Sequence, residues 1–247
     1  MTARLPETRD TLVAALASDA EADRDRALDL IARAYRDPVV AILAIRWSLA
    51  REDAEDLAQD FFAKAVEKEW FHRYDPARGR FRPFLRACLD DFARASFRDA
   101  ARAKRGGGVE HVALDDAFDA GSGSLPGEGP GALASPGEID RLFEREWARS
   151  VLSIASELLR ADCDASGKSV AWKLYERYDL TDAPDDARPT YAALGAEFGE
   201  PVTQVTNHLA WARRRMREHV LATVRALTGD DAEYRDEVRA LIGTDEP

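Results

Sequence analysis

A chain of 247 residues with a net charge of -11 and a pI near 5.0 can bury one large core or two small ones. Its acidity excludes a protein that coats nucleic acid through bulk charge. Cys88 and Cys163 stand in unrelated contexts, in no CxxC pair and no Cys/His group of metal-ligand spacing, so a reduced, cytoplasmic protein without metal or cofactor is expected. The first residues carry no apolar signal core and no apolar run reaches about 18 residues, so neither export nor a membrane span is expected.

In chain order, apolar residues recur at helical spacing from Arg9 to about Trp47 (Leu12, Leu16, Ala27, Leu28, Ile31, Ala34, Tyr35), and Asp37-Pro38 predicts an end or kink there. A third helix is predicted from Arg51-Glu52-Asp53, with Leu57, Phe61, Phe62, Ala65 and Val66 on one side. A loop from Tyr74 to Gly79 leads into a basic helix. Glycine, serine and proline dominate from Gly106 to about Gly137, which reads as a flexible acidic linker. Helical pattern resumes at Ile139 and continues to about Leu227, followed by a short helix around Tyr234, Val238 and Leu241. No segment alternates as a strand does. The fold class is all-α, with helical domains over 1–105 and 139–228, a linker over 106–138 and a tail over 229–247. The tail's role is open between covering the last domain and binding a regulator.

The segment Tyr74-Asp75-Pro76-Ala77-Arg78-Gly79-Arg80-Phe81-Arg82-Pro83-Phe84-Leu85 and the helix after it concentrate positive charge in an otherwise acidic chain. At about 100° per residue, Phe84, Leu85, Cys88, Leu89, Phe92 and Ala95 share one side, and Arg82, Arg86, Arg94, Arg98, Lys104 and Arg105 the other. Ten Lys/Arg between Arg73 and Arg105 face only Asp75, Asp90, Asp91 and Asp99 within the segment, which shifts the balance from a solvated charged face toward phosphate contact. Tyr74 and Phe81 could stack on an unstacked base, although Phe81 and Phe84 taken singly read as core residues.

Residues 190–199 and 200–209 have the outline of a helix-turn-helix. Leu194 and Phe198 pack, Gly199 turns, and Pro201 starts the next helix. Val202, Val205, Leu209, Ala212 and Met216 form its expected buried stripe, leaving Thr203, Gln204, Asn207, Trp211 and Arg214 outward. Gln and Asn can bond adenine bidentately, and Arg213, Arg214, Arg215 and Arg217 suit phosphates. A plain helical hairpin with a basic end is the alternative.

Together the two halves resemble the bacterial RNA polymerase sigma factors of the extracytoplasmic-function type, over most of the chain. Asp53-Ala54-Glu55-Asp56-Leu57-Ala58-Gln59-Asp60-Phe61-Phe62 is similar to the family's polymerase-binding helix. The run from Asp75-Pro76 to Leu85, with Lys104-Arg105-Gly106-Gly107-Gly108, resembles a subgroup with a long inter-domain linker. Leu209, Ala212, Arg213, Arg214, Met216 and Arg217 match the terminal DNA-reading helix.

The resemblance implies that Asp53, Asp56, Leu57, Gln59 and Asp60 bind core RNA polymerase at the clamp helices of its largest subunit, and that the second domain meets the flap of the second-largest. It further implies that Tyr74, Arg78, Arg80 and Phe81 hold a displaced base of the minus-ten element, with Arg82, Arg86, Arg94 and Arg98 on the DNA backbone. Thr203, Gln204, Asn207, His208, Arg213, Arg214 and Arg217 would read the minus-thirty-five element, and the linker would thread toward the polymerase active-site channel. Thr206 and His208 stand where many relatives carry basic residues. An anti-sigma partner is left open.

Catalysis is not expected. Gly167-Lys168-Ser169 lacks the earlier glycine of a phosphate loop, because Asp162 stands there. Asp53, Glu55, Asp56 and Asp60 read as a polymerase-binding or solvated face rather than a metal site. His72, His111, His208 and His219 form no spaced cluster. The alternative function is a helix-turn-helix regulator acting without polymerase, which leaves the helix at Asp53 to Phe62 without a purpose.

Overall fold

The computed structural model describes residues 11–104, 135–181, 184 and 188–243, and these form α-helices with no strand among them. The helices are α1 (Leu12–Leu16), α2 (Glu21–Arg46), α3 (Arg51–Glu67), α4 (Phe81–Lys104), α5 (Pro136–Ala165), α6 (Ser169–Tyr178), α7 (Tyr191–Phe198), α8 (Val202–Ala226) and α9 (Asp231–Ile242). Short 3₁₀ turns, Trp70–Arg73 and Pro76–Arg78, link α3 to α4. The linker read from the sequence falls at 106–134 outside the described residues, and its last part, 135–138, is the start of α5.

The ends of the helices follow local chemistry. Thr11 and Thr190 each accept a backbone N–H three residues on, capping α1 and α7. At α5, Glu138 reaches back to the backbone N–H of Ser135 (2.6 Å), with Pro136 in the first turn where its missing N–H costs nothing. The bond from Ser135 also holds the Glu138 carboxyl below its usual range. Asp230 caps α9 by accepting from Ala232 and Glu233 at 2.9 and 2.8 Å.

Of the end or kink expected at Asp37-Pro38, the end is absent, and α2 runs through Pro38. A proline inside a helix costs about 3 kcal/mol through its lost N–H and its clash with the preceding turn. Here that cost is offset by burial on both sides of it: Ile31, Ala34 and Tyr35 before, and Val39, Ile42 and Leu43 after, are all within the core. Two stripes also differ from the wheel. On α3 the packed line is Ala54, Ala58, Phe61 and Ala65, while Val66 is 47% exposed. On α8 the stripe begins at Val205, with Val202 48% exposed. Both valines lie in a terminal turn of their helix.

One buried apolar cluster runs from α1 through α8 and on to Val238 of α9. Its aromatic centre is Phe61, Phe71, Phe81 and Phe92, with Tyr35 of α2 against Phe81 (5.6 Å between ring centres) and stacked on Phe143 of α5 (6.1 Å). The two halves of the chain therefore share a face along α2 and α5, edged by an ion pair between Arg33 and Glu157 (2.6 Å). No described helix is long and apolar enough to cross a membrane.

Candidate nucleic-acid interface

The α3 residues singled out by the sequence come together on one surface. Asp53, Asp56, Gln59 and Asp60 are exposed and Leu57 half-buried, opposite the stripe that packs through Ala54, Ala58 and Phe61. Arg51 pairs with Glu55 (2.8 Å) at the helix start. No group of three or more His, Cys, Asp or Glu among the described residues is placed to hold a metal ion.

The loop and basic helix are placed differently from an open polyanion surface. Tyr74 and Phe81 are buried in the aromatic cluster, their rings edge to face at 5.1 Å. Leu85, Cys88, Leu89, Phe92 and Ala93 form the packed side of α4, with Phe84 and Ala95 only half-buried. Burial pushes the Cys88 thiol up to about 12, and the side chain is packed as a small apolar group.

The arginines of the loop and first turns meet carboxylates from distant helices. Arg80 pairs with Asp236. Arg82 forms a two-pronged pair with Glu237 and lies over the Trp147 ring at 4.4 Å. Arg86 pairs with Asp140 and lies 5.7 Å from the Phe143 ring. A shallow cleft of about 200 Å³ lies among these groups, between α4, α5 and α9. Glu233 of α9 accepts three hydrogen bonds: from the Tyr74 hydroxyl (3.0 Å), the Phe81 backbone N–H (2.7 Å) and the Gly229 backbone N–H (2.7 Å). Burial, with the neighbouring Glu233 charge second, raises the Tyr74 pKa and keeps the phenol a donor. Arg78 and Arg98 are exposed, and Arg94 stands 3.7 Å from Asp91. Arg105 lies outside the described residues, and nothing is described of the side chain of Lys104.

In the C-terminal half, α7 and α8 are joined by residues 199–201. Gly199 takes the left-handed conformation (φ 71°) that glycine adopts without strain. Gly195 is needed for a second reason: a Cβ there would stand 2.5 Å from the Glu200 carbonyl oxygen, so only glycine lets the turn fold back so closely. Thr203, Gln204, Asn207, Arg213, Arg214 and Arg217 are exposed and His208 half-buried, opposite Val205, Leu209, Ala212 and Met216. Arg213 is held by Asp179 (3.0 Å) and is thus a partnered cation. Trp211 is half-buried with Lys168 over its ring at 5.1 Å, while Trp172 is met by Arg160. Beneath this surface Asp162 binds Arg215 and the His219 Nε2 (2.9 Å).

Sequence reasoning missed Gly229, Glu233, Asp236 and Glu237. The available signal was a short acidic helix after a glycine, which says nothing about where it docks. Compared with family models, curated proteins and solved structures, the chain gives no match.

Proposed function

We propose that this chain is a sigma factor of the extracytoplasmic-function type, which binds core RNA polymerase, directs it to promoters and helps open the DNA. The observation that carries the reading is the surface of α7, its turn and α8. The close approach at Gly195 and the left-handed Gly199 fix a short helix against the start of a long one. That start offers Thr203, Gln204 and Asn207, with Arg214 and Arg217 beyond them. Hydrogen-bonding side chains at the N-terminal end and cations after them suit base edges flanked by phosphates. The acid and amide face of α3, which resembles the family's polymerase-binding helix, is exposed, which supports the reading.

A regulator that reads DNA without polymerase is favoured by one observation: five of the residues assigned to the minus-ten element, Tyr74, Arg80, Phe81, Arg82 and Arg86, are engaged inside the chain. Co-elution with purified core polymerase separates the two. The sigma reading expects a complex that is lost in Asp56→Ala/Gln59→Ala/Asp60→Ala. No complex for the parent chain, or equal complexes for both, would reject it.

A further inference from the structure

Burying two carboxylates on a terminal helix is costly unless each is matched by donors. Glu233 and Glu237 of α9 are only 5% and 2% exposed. Apart from the Gly229 N–H beside α9 itself, their donors come from one place, the basic loop and the first turn of α4. Glu233 takes the Tyr74 hydroxyl and the N–H of Phe81, Glu237 takes the Arg82 guanidinium, and Asp236 takes Arg80 at the rim. An orphan N–H at a helix start, a guanidinium and a phenol are the donor types that grip phosphate oxygens. On α9 the three acidic residues fall at i, i+3 and i+4, which puts them on one face.

The chain is also built to let this helix approach. A Cβ on Gly229, between α8 and α9, would stand 2.6 Å from the Tyr74 hydroxyl and 2.9 Å from the Pro76 ring. The apolar seat of α9 is small by comparison. Val238 is its one fully buried apolar side chain, with Tyr234, Leu241 and Ile242 half-buried. The helix is therefore docked largely by charge and hydrogen bonds to its acidic face, which salt screens little where they are buried but which a competing anion offering the same oxygens can replace.

We propose that α9 is an intramolecular occupant of the polyanion-binding surface. Its carboxylates hold Tyr74, the start of α4, Arg80 and Arg82 in a covered state, and a nucleic-acid backbone reaches that surface only when α9 leaves. This rests on the reading of that surface as a DNA contact. Because affinity falls by the fraction of uncovered molecules, weakening α9 should tighten binding up to about tenfold if one molecule in ten is open in the parent.

The test uses the full chain carrying Asp236→Asn/Glu237→Gln, with Asp236→Asn alone as the milder variant that keeps the Arg82 partner. Asp25→Asn/Asp29→Asn on the exposed side of α2 is the control, removing the same two charges from the net -11. Hydrogen exchange over 74–86 reports uncovering, and fluorescence anisotropy with a labelled duplex containing an unpaired bubble reports binding. Faster exchange and about tenfold tighter binding in the α9 variants, absent from the control, is expected, with Asp236→Asn alone intermediate. If exchange rises and affinity equals that of the parent, or if the control tightens equally, the cover has no role and the proposal falls while the DNA reading stands. If the uncovered surface and the parent both fail to bind, the DNA reading of this surface falls and the proposal with it.

Discussion

Asp162 shows how one residue can fasten two helices. It sits near the end of α5, accepts from Arg215, lies 2.9 Å from His219 on α8, and adjoins the turn into α6. Burial alone would raise its pKa, but the hydrogen bonds from Arg215 and His219 outweigh it and hold the carboxyl below its usual value. A carboxyl with a depressed pKa in the folded state contributes stability that is present above its unfolded pKa and lost as the pH falls through the folded one. Asp162→Asn should therefore lower stability by about 1 to 2 kcal/mol at neutral pH. In denaturant titrations the gap from the parent should close as the pH falls below the ordinary carboxylate range. A gap that persisted in acid would show that packing, not charge, is what the residue supplies.

At the scale of elements, the junction of α7 and α8 depends on Gly195 more than on any side chain. Gly195→Ala places a methyl group 2.5 Å from a backbone oxygen that has no rotamer to escape into, so α7 and the turn must separate. An overpacking cost of about 1 to 3 kcal/mol is expected, read as a lower midpoint in urea with unchanged slope. If this turn positions a reading surface, promoter binding should fall by more than the lost stability accounts for. Gly199→Ala, which strains only one φ angle, should cost about 1 kcal/mol.

The elements themselves were largely legible. Periodic apolar residues located α3, α4, α7, α8, the start of α5 and the tail helix, because each needs a stripe to bury, and the acids at Glu52-Asp53 and Pro201 marked two of their starts. What periodicity did not show was the destination of each polar face. The ten cations from Arg73 to Arg105 had few acidic partners nearby in sequence, and this suggested an open phosphate-binding row. Several of their partners instead lie 54 to 156 positions away, on α5 and α9. Charge counting within a segment sees only local pairs, and a carboxylate brought in by tertiary packing is invisible to it. That α2 does not end at Pro38 has a related reason: the proline's local cost is real, and the burial that offsets it comes from helices elsewhere in the chain.

For the whole molecule, the halves joined through 106–134 share one core along α2 and α5, and α9 closes over the basic loop. The charged surfaces thus differ in availability. The face of α3 and the outer side of α8 are presented to solvent, while the loop and first turns of α4 are internally satisfied. Under the proposed sigma function, a free chain of this form would meet polymerase through α3 before its basic loop meets DNA. Transcription measures this sequence of events better than binding to any one partner.

Run-off transcription with core polymerase and a pool of genomic fragments tests the central claim most directly. The account predicts discrete transcripts that require the chain, disappear with Asp56→Ala/Gln59→Ala/Asp60→Ala and shift in fragment preference with Asn207→Ala. If no fragment yields transcript beyond that of core polymerase alone, while the chain still binds particular duplexes through α8, the sigma reading is contradicted and the polymerase-independent regulator takes its place.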